Sequence, residues 1–427
     1  MEFSFIHIAD IHLGRAFSDL SILTDKMHIC NHACEKAFNK IIDLAIEKQV
    51  KFVLISGDSF DNNEHDLHTK LCFIRGLEKL GDNNIKSFVV CGNHDPIELY
   101  KKHKSYFKFD SKYDGIINIT GVTTDSNKQE YLFDNINIHS YSFVKEESSN
   151  PTKELRNLNA DDSNNFNIGL FHCDLDKTES KYGACSREDL RNLGYDYYAL
   201  GHIHIPDDKE NMVYAGSIQG RTKKETGTHG CYYVKVNNSN GTKQIDKEFI
   251  PTDCVRFLEQ ELDCSKYHNK KEIFDAIQEN LNCNSSENVE LNLYELNLTG
   301  ISDAFEELNK TENLIAEFIE EYKNLPNNVC VYEISNKTIP NINEQELKED
   351  NGIIGIISNS FSDKTDINID EIYNNISFIH ENIYKKLGLD SESKEELLKT
   401  LQQDKTEILD RAEQEVLALC KEIYTMD

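Results

Sequence analysis

The sequence predicts an α/β protein with a largely parallel central sheet and helices, followed by a smaller α+β segment and a helical C-terminal segment. Three observations predict it. Five short apolar, β-rich runs in the first 250 residues each end in polar residues. The stretches between the first of these repeat their apolar residues at helical spacing. From about Cys254 the runs become alternating, half-buried strands, and beyond about residue 340 the chain reads as helix.

The first strand is "FSFIHIADIH" (3–12). The stretch "DKMHICNHACEKAFNKIIDLAIEKQ" (25–49) is apolar at 29/30, 33/34, 37/38, 41/42 and 44/45, a helical pattern. "KFVLISGDSFD" (51–61) is the second strand, "LHTKLCFIRGLEKLG" (67–81) a second helix with a glycine stop, and "KSFVVCGNHD" (86–95) the third strand. "FNIGLFHCD" (166–174) and "YYALGHIH" (197–204) repeat the design. Runs this apolar suit strands buried on both faces of one largely parallel sheet with right-handed crossovers. "GCYYVKV" (230–236) and "KQIDKEFI" (243–250) read as a closing hairpin.

Three alternating strands follow, "VRFLEQELD" (255–263), "VELNLYELNLTG" (289–300) and "VCVYEIS" (329–335), with helical "KKEIFDAIQENLN" and "DAFEELNKTENLIAEFIEEYK" between them. The expected divisions are 1–252, 253–340 and 341–427. In the last, apolar residues at 397, 401, 408, 412, 416, 419 and 423 make an amphipathic stripe that needs a partner.

The net charge of −29 argues at first against nucleic acid. Residues 1–250 hold 30 basic and 37 acidic side chains, residues 251–427 hold 16 and 38. The acidity therefore sits mainly in the C-terminal half, and the first half admits a local basic groove that the sequence does not itself display. No run approaches the ~18 apolar residues of a membrane span. The start, "MEFSFIHIAD", reads as a strand rather than a signal peptide. The twelve cysteines lie mostly in apolar runs, Cys72, Cys91, Cys231 and Cys330 among them, and suit a reduced, cytoplasmic chain.

Ligands in open α/β sheets bind at the carboxyl ends of the strands. The five ends supply Asp10 and His12, Asp58 and Asp61, Asn93 and His94, His172, then His202 and His204. Carboxylates, one amide and several imidazoles suit a pair of divalent transition metals. Any one ending alone is more readily a turn or a satisfied histidine; five together favour a site. Cys30 and Cys34 with His28 and His32 have zinc-like spacing, but helix-face packing is the better reading.

The motifs "DIH", "GDSFD", "GNHD", "FHCD" and "GHIH" resemble, in order and spacing, those of the calcineurin-like metallophosphoesterase superfamily. Within it the chain is similar to bacterial SbcD-type DNA repair exonucleases, and there to the YhaO-type branch. "YAGSIQGRTKKETGTHGCYYVKV" (214–236), "VRFLEQELD" and "LNLTG" carry the branch likeness. The resemblance implies a metallophosphoesterase nuclease domain of layered sheets flanked by helices over 1–252, a smaller α+β capping domain over 253–340, and an acidic helical segment over 341–427 that meets an SbcC-like coiled-coil ATPase. It implies DNA as substrate, allows a homodimer and gives no membrane role.

Carried over residue by residue, the family's ligands are Asp10, His12, Asp58 and His204 for one metal, and Asp58, Asn93, His172 and His202 for the other. Manganese is the first expectation, with iron(II), zinc or magnesium as alternatives. His94 matches the catalytic histidine, as acid or transition-state stabiliser beside a hydroxide nucleophile held between the metals. Asp95 is expected to orient the His94 ring. Asp61 stands where some archaeal and eukaryotic relatives have histidine, so that histidine's role does not transfer. Arg15, Arg221 and Lys223 are candidates for touching a DNA backbone, a solvated loop being the alternative. Two other functions compete: a phosphodiesterase or phosphatase for small phosphate esters or nucleotides, and a non-catalytic scaffold on the same fold.

Overall fold

The computed structural model describes residues 2–15, 17, 26–61, 67–102, 107–148, 150–155, 160, 165–177, 180–239, 242–284, 289–311, 313–322, 325–341 and 416. β1 (Glu2–Ile8) opens the chain. Two helices, α1 (Met27–Asn31) and α2 (Ala33–Glu47), follow where one was expected, interrupted at His32. Cys30 and Cys34 are buried while His28 and His32 are exposed, so packing accounts for that stretch. Next come β2 (Phe52–Ser56), α3 (Leu67–Asp82), β3 (Lys86–Val90), α4 (Ile97–Lys102) and β4 (Ile117–Ile119). A second run holds β5 (Lys128–Phe133), β6 (Ile136–Tyr141), α5 (Pro151–Leu155), β7 (Phe166–His172), α6 (Arg187–Leu193), β8 (Tyr197–Gly201) and β9 (Met212–Tyr214). β10 (Gly230–Ser239) and β11 (Thr242–Pro251) form the expected hairpin.

These strands build two sheets, the layering that the family resemblance implied, where the strand pattern alone suggested one. The first has the order β11-β10-β1-β2-β3-β4, the second β5-β6-β7-β8-β9. β1 to β4 are mutually parallel, as are β6 to β9. Three of the five polar endings therefore leave the first sheet and two leave the second. Alternation along each strand shows why. Ile6, Ile8, Val53, Ile55 and Val89 pack with Phe38, Ile41 and Ile42 of α2 and Phe73, Leu77 and Leu80 of α3. Phe5, Phe52, Leu54, Phe88 and Val90 point the other way, onto Ile138, Phe166, Ile168, Leu170, Tyr197 and Ala199 of the second sheet.

Each central strand is apolar on both faces because one face meets helices and the other meets a sheet. Phe5 and Phe52 stack at 4.9 Å, and Phe3 meets Phe166 edge-on across the gap at 5.4 Å. A fully buried side chain of this kind contributes ~1.5–3 kcal/mol, so the inter-sheet layer is a main source of cohesion. On the far face of the second sheet, Leu190 and Leu193 of α6 cover Phe171, Tyr198 and Leu200.

The chain divides into two compact units. The first takes residues 1–259, 284–295 and 325–332, and the second 260–283, 296–324 and 333 onward. β12 (Val255–Asp263), α7 (Lys270–Asn284), β13 (Leu291–Thr299), β14 (Ile301–Ser302), α8 (Phe305–Lys310), α9 (Leu314–Glu321), β15 (Val329–Asn336) and β16 (Ile339–Pro340) complete the described elements. β12, β13 and β15 form a three-stranded sheet. The helix expected over 303–323 is two, with Asn313 capping the second by accepting from the Ala316 N–H. The helical segment expected over 341–427, with its apolar stripe, lies outside the described residues but for Asn341 and Val416.

Candidate metal centre

The carboxyl ends of β1, β2, β3, β7 and β8 meet at one place, and backbone bonds lock them together. The Asp10 N–H donates to the Gly57 carbonyl at 3.1 Å and the His12 N–H to the Asp58 carbonyl at 3.0 Å. The His202 N–H donates to the Asp10 carboxylate at 3.1 Å, tying the two sheets. Asp10, His12, Asp58 and His202 all take positive φ, at 49°, 45°, 51° and 104°. Such backbone is costly for non-glycine residues and concentrates at functional sites. Glycines allow the close approach: a Cβ on Gly92 would lie 2.2 Å from Asp58 Oδ1, and one on Gly201 would lie 2.0 Å from the Ser56 carbonyl oxygen.

Ligand atoms of Asp10, His12 and His204 all lie within 4.8 Å of one another, and so do those of Asp10, Asp58 and His172. Asp58 Oδ2 is 3.8 Å from His12 Nε2 and 3.4 Å from His172 Nε2, between the two groups. Asn93 Oδ1 is 2.9 Å from His172 Nε2 and 3.2 Å from His202 Nδ1. All seven residues expected as ligands are thus brought together.

Their chemistry fits divalent cations. His172 Nδ1 lies 2.9 Å from the Ser56 carbonyl, which only accepts, so Nδ1 carries the proton. Burial holds the His172 ring well below the usual imidazole range, so it stays neutral with a bare Nε2. That lone pair faces the Asn93 amide oxygen and the Asp58 carboxylate. Three acceptor atoms converge there, an arrangement a cation resolves. Burial likewise pushes His12 well down, and it raises Asp58, helped by the nearby Asp95 and Asp10 carboxylates. Crowded buried carboxylates beside neutral imidazoles suit a metal better than an empty pocket.

His94 stands at the mouth, its side chain 30% exposed, and its N–H donates to Asp58 Oδ1 at 2.9 Å. The expectation that Asp95 orients its ring is corrected. Asp95 is fully buried and its carboxylate accepts from the N–H groups of Gly92, Asp58 and Ser59 and from the Tyr100 hydroxyl. Burial pushes this carboxyl up to about 6 against those donors. The residue beside the ring is Asp61, whose Oδ1 lies 2.7 Å from His94 Nδ1, close enough for an ion pair though off the line of a hydrogen bond. Arg15, partly exposed, reaches Asp61 Oδ2 with Nε at 3.4 Å and so stands at the same mouth.

Arg221 is also corrected. It is 1% exposed, with its guanidinium 3.4 Å from both Glu225 Oε1 and His204 Nδ1. It sits behind the site, out of reach of a DNA backbone. Lys223 is exposed on the same loop. Sequence reasoning passed over Glu225, which pairs with His204 Nδ1, and Asp174, whose Oδ2 is 3.9 Å from His202 Nε2. The second aspartate of "GDSFD" was a usable signal for Asp61. Glu225, inside a polar loop, offered none.

Two sheets flanked by helices bring carboxylates, imidazoles and one amide together at their shared strand ends, a site suited to divalent cations. The family model for calcineurin-like phosphoesterases matches residues 3–206, and through this segment the chain is similar to that family. The chain is similar to the uncharacterized metallophosphoesterase YhaO of Bacillus subtilis, 27% identical over 65% of this chain and 67% of that one. It is also similar to the DNA double-strand break repair protein Mre11 of Methanococcus maripaludis, 26% identical over 74% of this chain and 90% of that one. Among solved structures, a dimetal phosphatase from Danio rerio is 12% identical, covering 55% of this chain and 94% of that one at a TM-score of 0.33. No helix among the described residues is long and apolar enough to cross a membrane.

Proposed function

We propose that this chain is a two-metal phosphodiesterase that cleaves DNA in repair, as an exonuclease or endonuclease. The observation that carries the chemistry is the convergence of Asp10, His12, Asp58, Asn93, His172, His202 and His204 with His94 at the rim. DNA as the substrate is supported by the likeness to a double-strand break repair protein over most of both chains. Asp10, His12, Asp58 and His204 would hold one cation, and Asp58, Asn93, His172 and His202 the other. Two divalent ions there, manganese foremost, would supply Lewis acidity towards the phosphate and lower the pKa of water.

The chain's own residues do the rest. Asp61 stands beside Nδ1 of His94, which leaves Nε2 to donate a proton to the leaving oxygen or to clamp the phosphate. A positioned acid of this kind contributes ~10²–10⁴ in rate. Arg15, next to Asp61, supplies a cation for the incoming backbone. The segment 253–340 would cap the site, and the C-terminal helical segment would dock a coiled-coil ATPase. The described cysteines are unpaired, which suits the cytoplasm.

The deciding experiment offers manganese with linear duplex DNA and, separately, bis-p-nitrophenyl phosphate. Cleavage of both is expected. Turnover of the small ester alone would replace DNA with a small phosphate ester as substrate. Turnover of neither, with His94→Ala indistinguishable from wild type, would leave a scaffold.

A further inference from the structure

We propose that Glu225, charge-balanced by the buried Arg221, is a positioning residue that fixes His204 as an Nε2 ligand and thereby strengthens one of the two cation positions over the other. The inference rests on the two-metal reading of the centre. Glu225 Oε1 pairs with His204 Nδ1. Its other oxygen accepts from the Arg221 N–H at 2.6 Å and the Thr222 N–H at 3.3 Å, so the carboxylate is held from both ends. The Glu225 carbonyl accepts from His229 Nε2 at 3.2 Å, and its N–H donates to the Thr222 carbonyl at 2.9 Å, which pins the turn that carries it.

His204 Nδ1 has two neighbours that ask for opposite protonation. Arg221 can only donate to it, and lies at the 3.4 Å limit. Glu225 is closer and, when ionised, can only accept. Its second oxygen already accepts from two backbone N–H groups, and its first lies 3.4 Å from the Arg221 guanidinium, so the carboxylate meets Nδ1 as an acceptor. A charge-assisted bond is roughly twice as strong as a neutral one, so Glu225 decides, and Nδ1 carries the proton. His204 Nε2 is then bare and faces His12 Nε2 at 3.3 Å. Beside Asp10, these two imidazole nitrogens would hold a cation between them.

The other position is backed differently. His172 Nδ1 leans on the neutral Ser56 carbonyl, and the carboxylate nearest His202 Nε2, that of Asp174, stands off at 3.9 Å. A carboxylate behind a ligating histidine raises its basicity, and losing such a partner typically weakens metal affinity 10–100-fold. Arg221 sharpens the effect. Without the Glu225 charge its guanidinium would stand uncompensated 3.4 Å from His204 and oppose a cation.

The test is a manganese titration of the metal-free protein followed by electron paramagnetic resonance, for wild type, Glu225→Gln and Asp58→Asn. Wild type takes up two ions. In Glu225→Gln one ion keeps its affinity and the other binds about 10–100-fold more weakly. Two unchanged affinities would overturn the proposal. Equal weakening of both would also overturn it, since Glu225 would then merely hold the loop. Asp58→Asn separates this from the underlying reading: if it leaves uptake intact, the two-metal centre itself fails. A further measurement needs no variant of Glu225. Long-range proton–nitrogen spectra of the metal-free wild type, with His204 assigned against His204→Gln, should show the Nδ1–H tautomer. The Nε2–H tautomer would contradict the proposal.

Discussion

Nδ1 of His94 lies 2.7 Å from Oδ1 of Asp61, although the two residues leave different strands and are 33 positions apart. The aspartate adjacent in sequence, Asp95, turns into the core and never meets the ring. Chemistry and scaffold are thus divided between two aspartates that the sequence presents as equals.

That division is testable. Asp61→Asn should leave folding and manganese uptake intact and lower turnover of bis-p-nitrophenyl phosphate by an order of magnitude or more, within the ~10²–10⁴ attributable to a positioned acid. Asp95→Asn should act on stability instead. It turns an amide donor towards groups that already donate, and each unmet buried partner costs ~1–3 kcal/mol. Thermal melting and steady-state kinetics of the pair check this; reversed phenotypes would restore Asp95 as the ring's partner.

Gly92 should not tolerate a methyl group. Its Cβ would lie 2.2 Å from Asp58 Oδ1 and 2.8 Å from the Asp58 nitrogen. Gly92→Ala should displace the carboxylate shared by both metal groups, reducing bound manganese below two ions per chain. Full occupancy, measured by elemental analysis after gel filtration, would show that the strand ends can relax.

The buried His7 makes stability depend on pH. Burial lowers its pKa from 6.5 to about 3 against a backbone bond involving Leu200, and its ring bonds Ser56 Oγ at 2.8 Å and the Tyr197 hydroxyl at 3.0 Å. Between those two pKa values the unfolded chain binds the extra proton. The stabilisation is therefore complete above about pH 6.5 and is lost as pH falls towards 3, by up to ~1.4 kcal/mol per pH unit. In urea unfolding with chelator present, the advantage of wild type over His7→Asn should shrink between pH 7.5 and 5. A constant difference would mean that His7 is not neutral in the fold.

The convergence of the candidate ligands was legible because each of them closes a short local motif at a strand end. The partners of those ligands were less so. Asp61 and His94 meet only through tertiary structure, and consecutive side chains such as His94 and Asp95 point apart, so sequence adjacency misassigned the pair. Arg221 looked like a surface cation because nothing local tells a basic loop residue that it will be buried behind His204. The strand pattern alone hid the two sheets for a similar reason, and only the family resemblance implied them. An apolar run such as "FVLIS" is the same whether its second face meets helices or another sheet.

The most direct test of the whole account is His94→Ala, with manganese content and turnover measured on the same sample. His94 gives the site its backbone N–H, which alanine keeps, and a ring that stands at the mouth outside the expected ligand set. Two bound ions with turnover reduced ~10²–10⁴-fold is the predicted result. Loss of metal, or turnover equal to wild type, would contradict it.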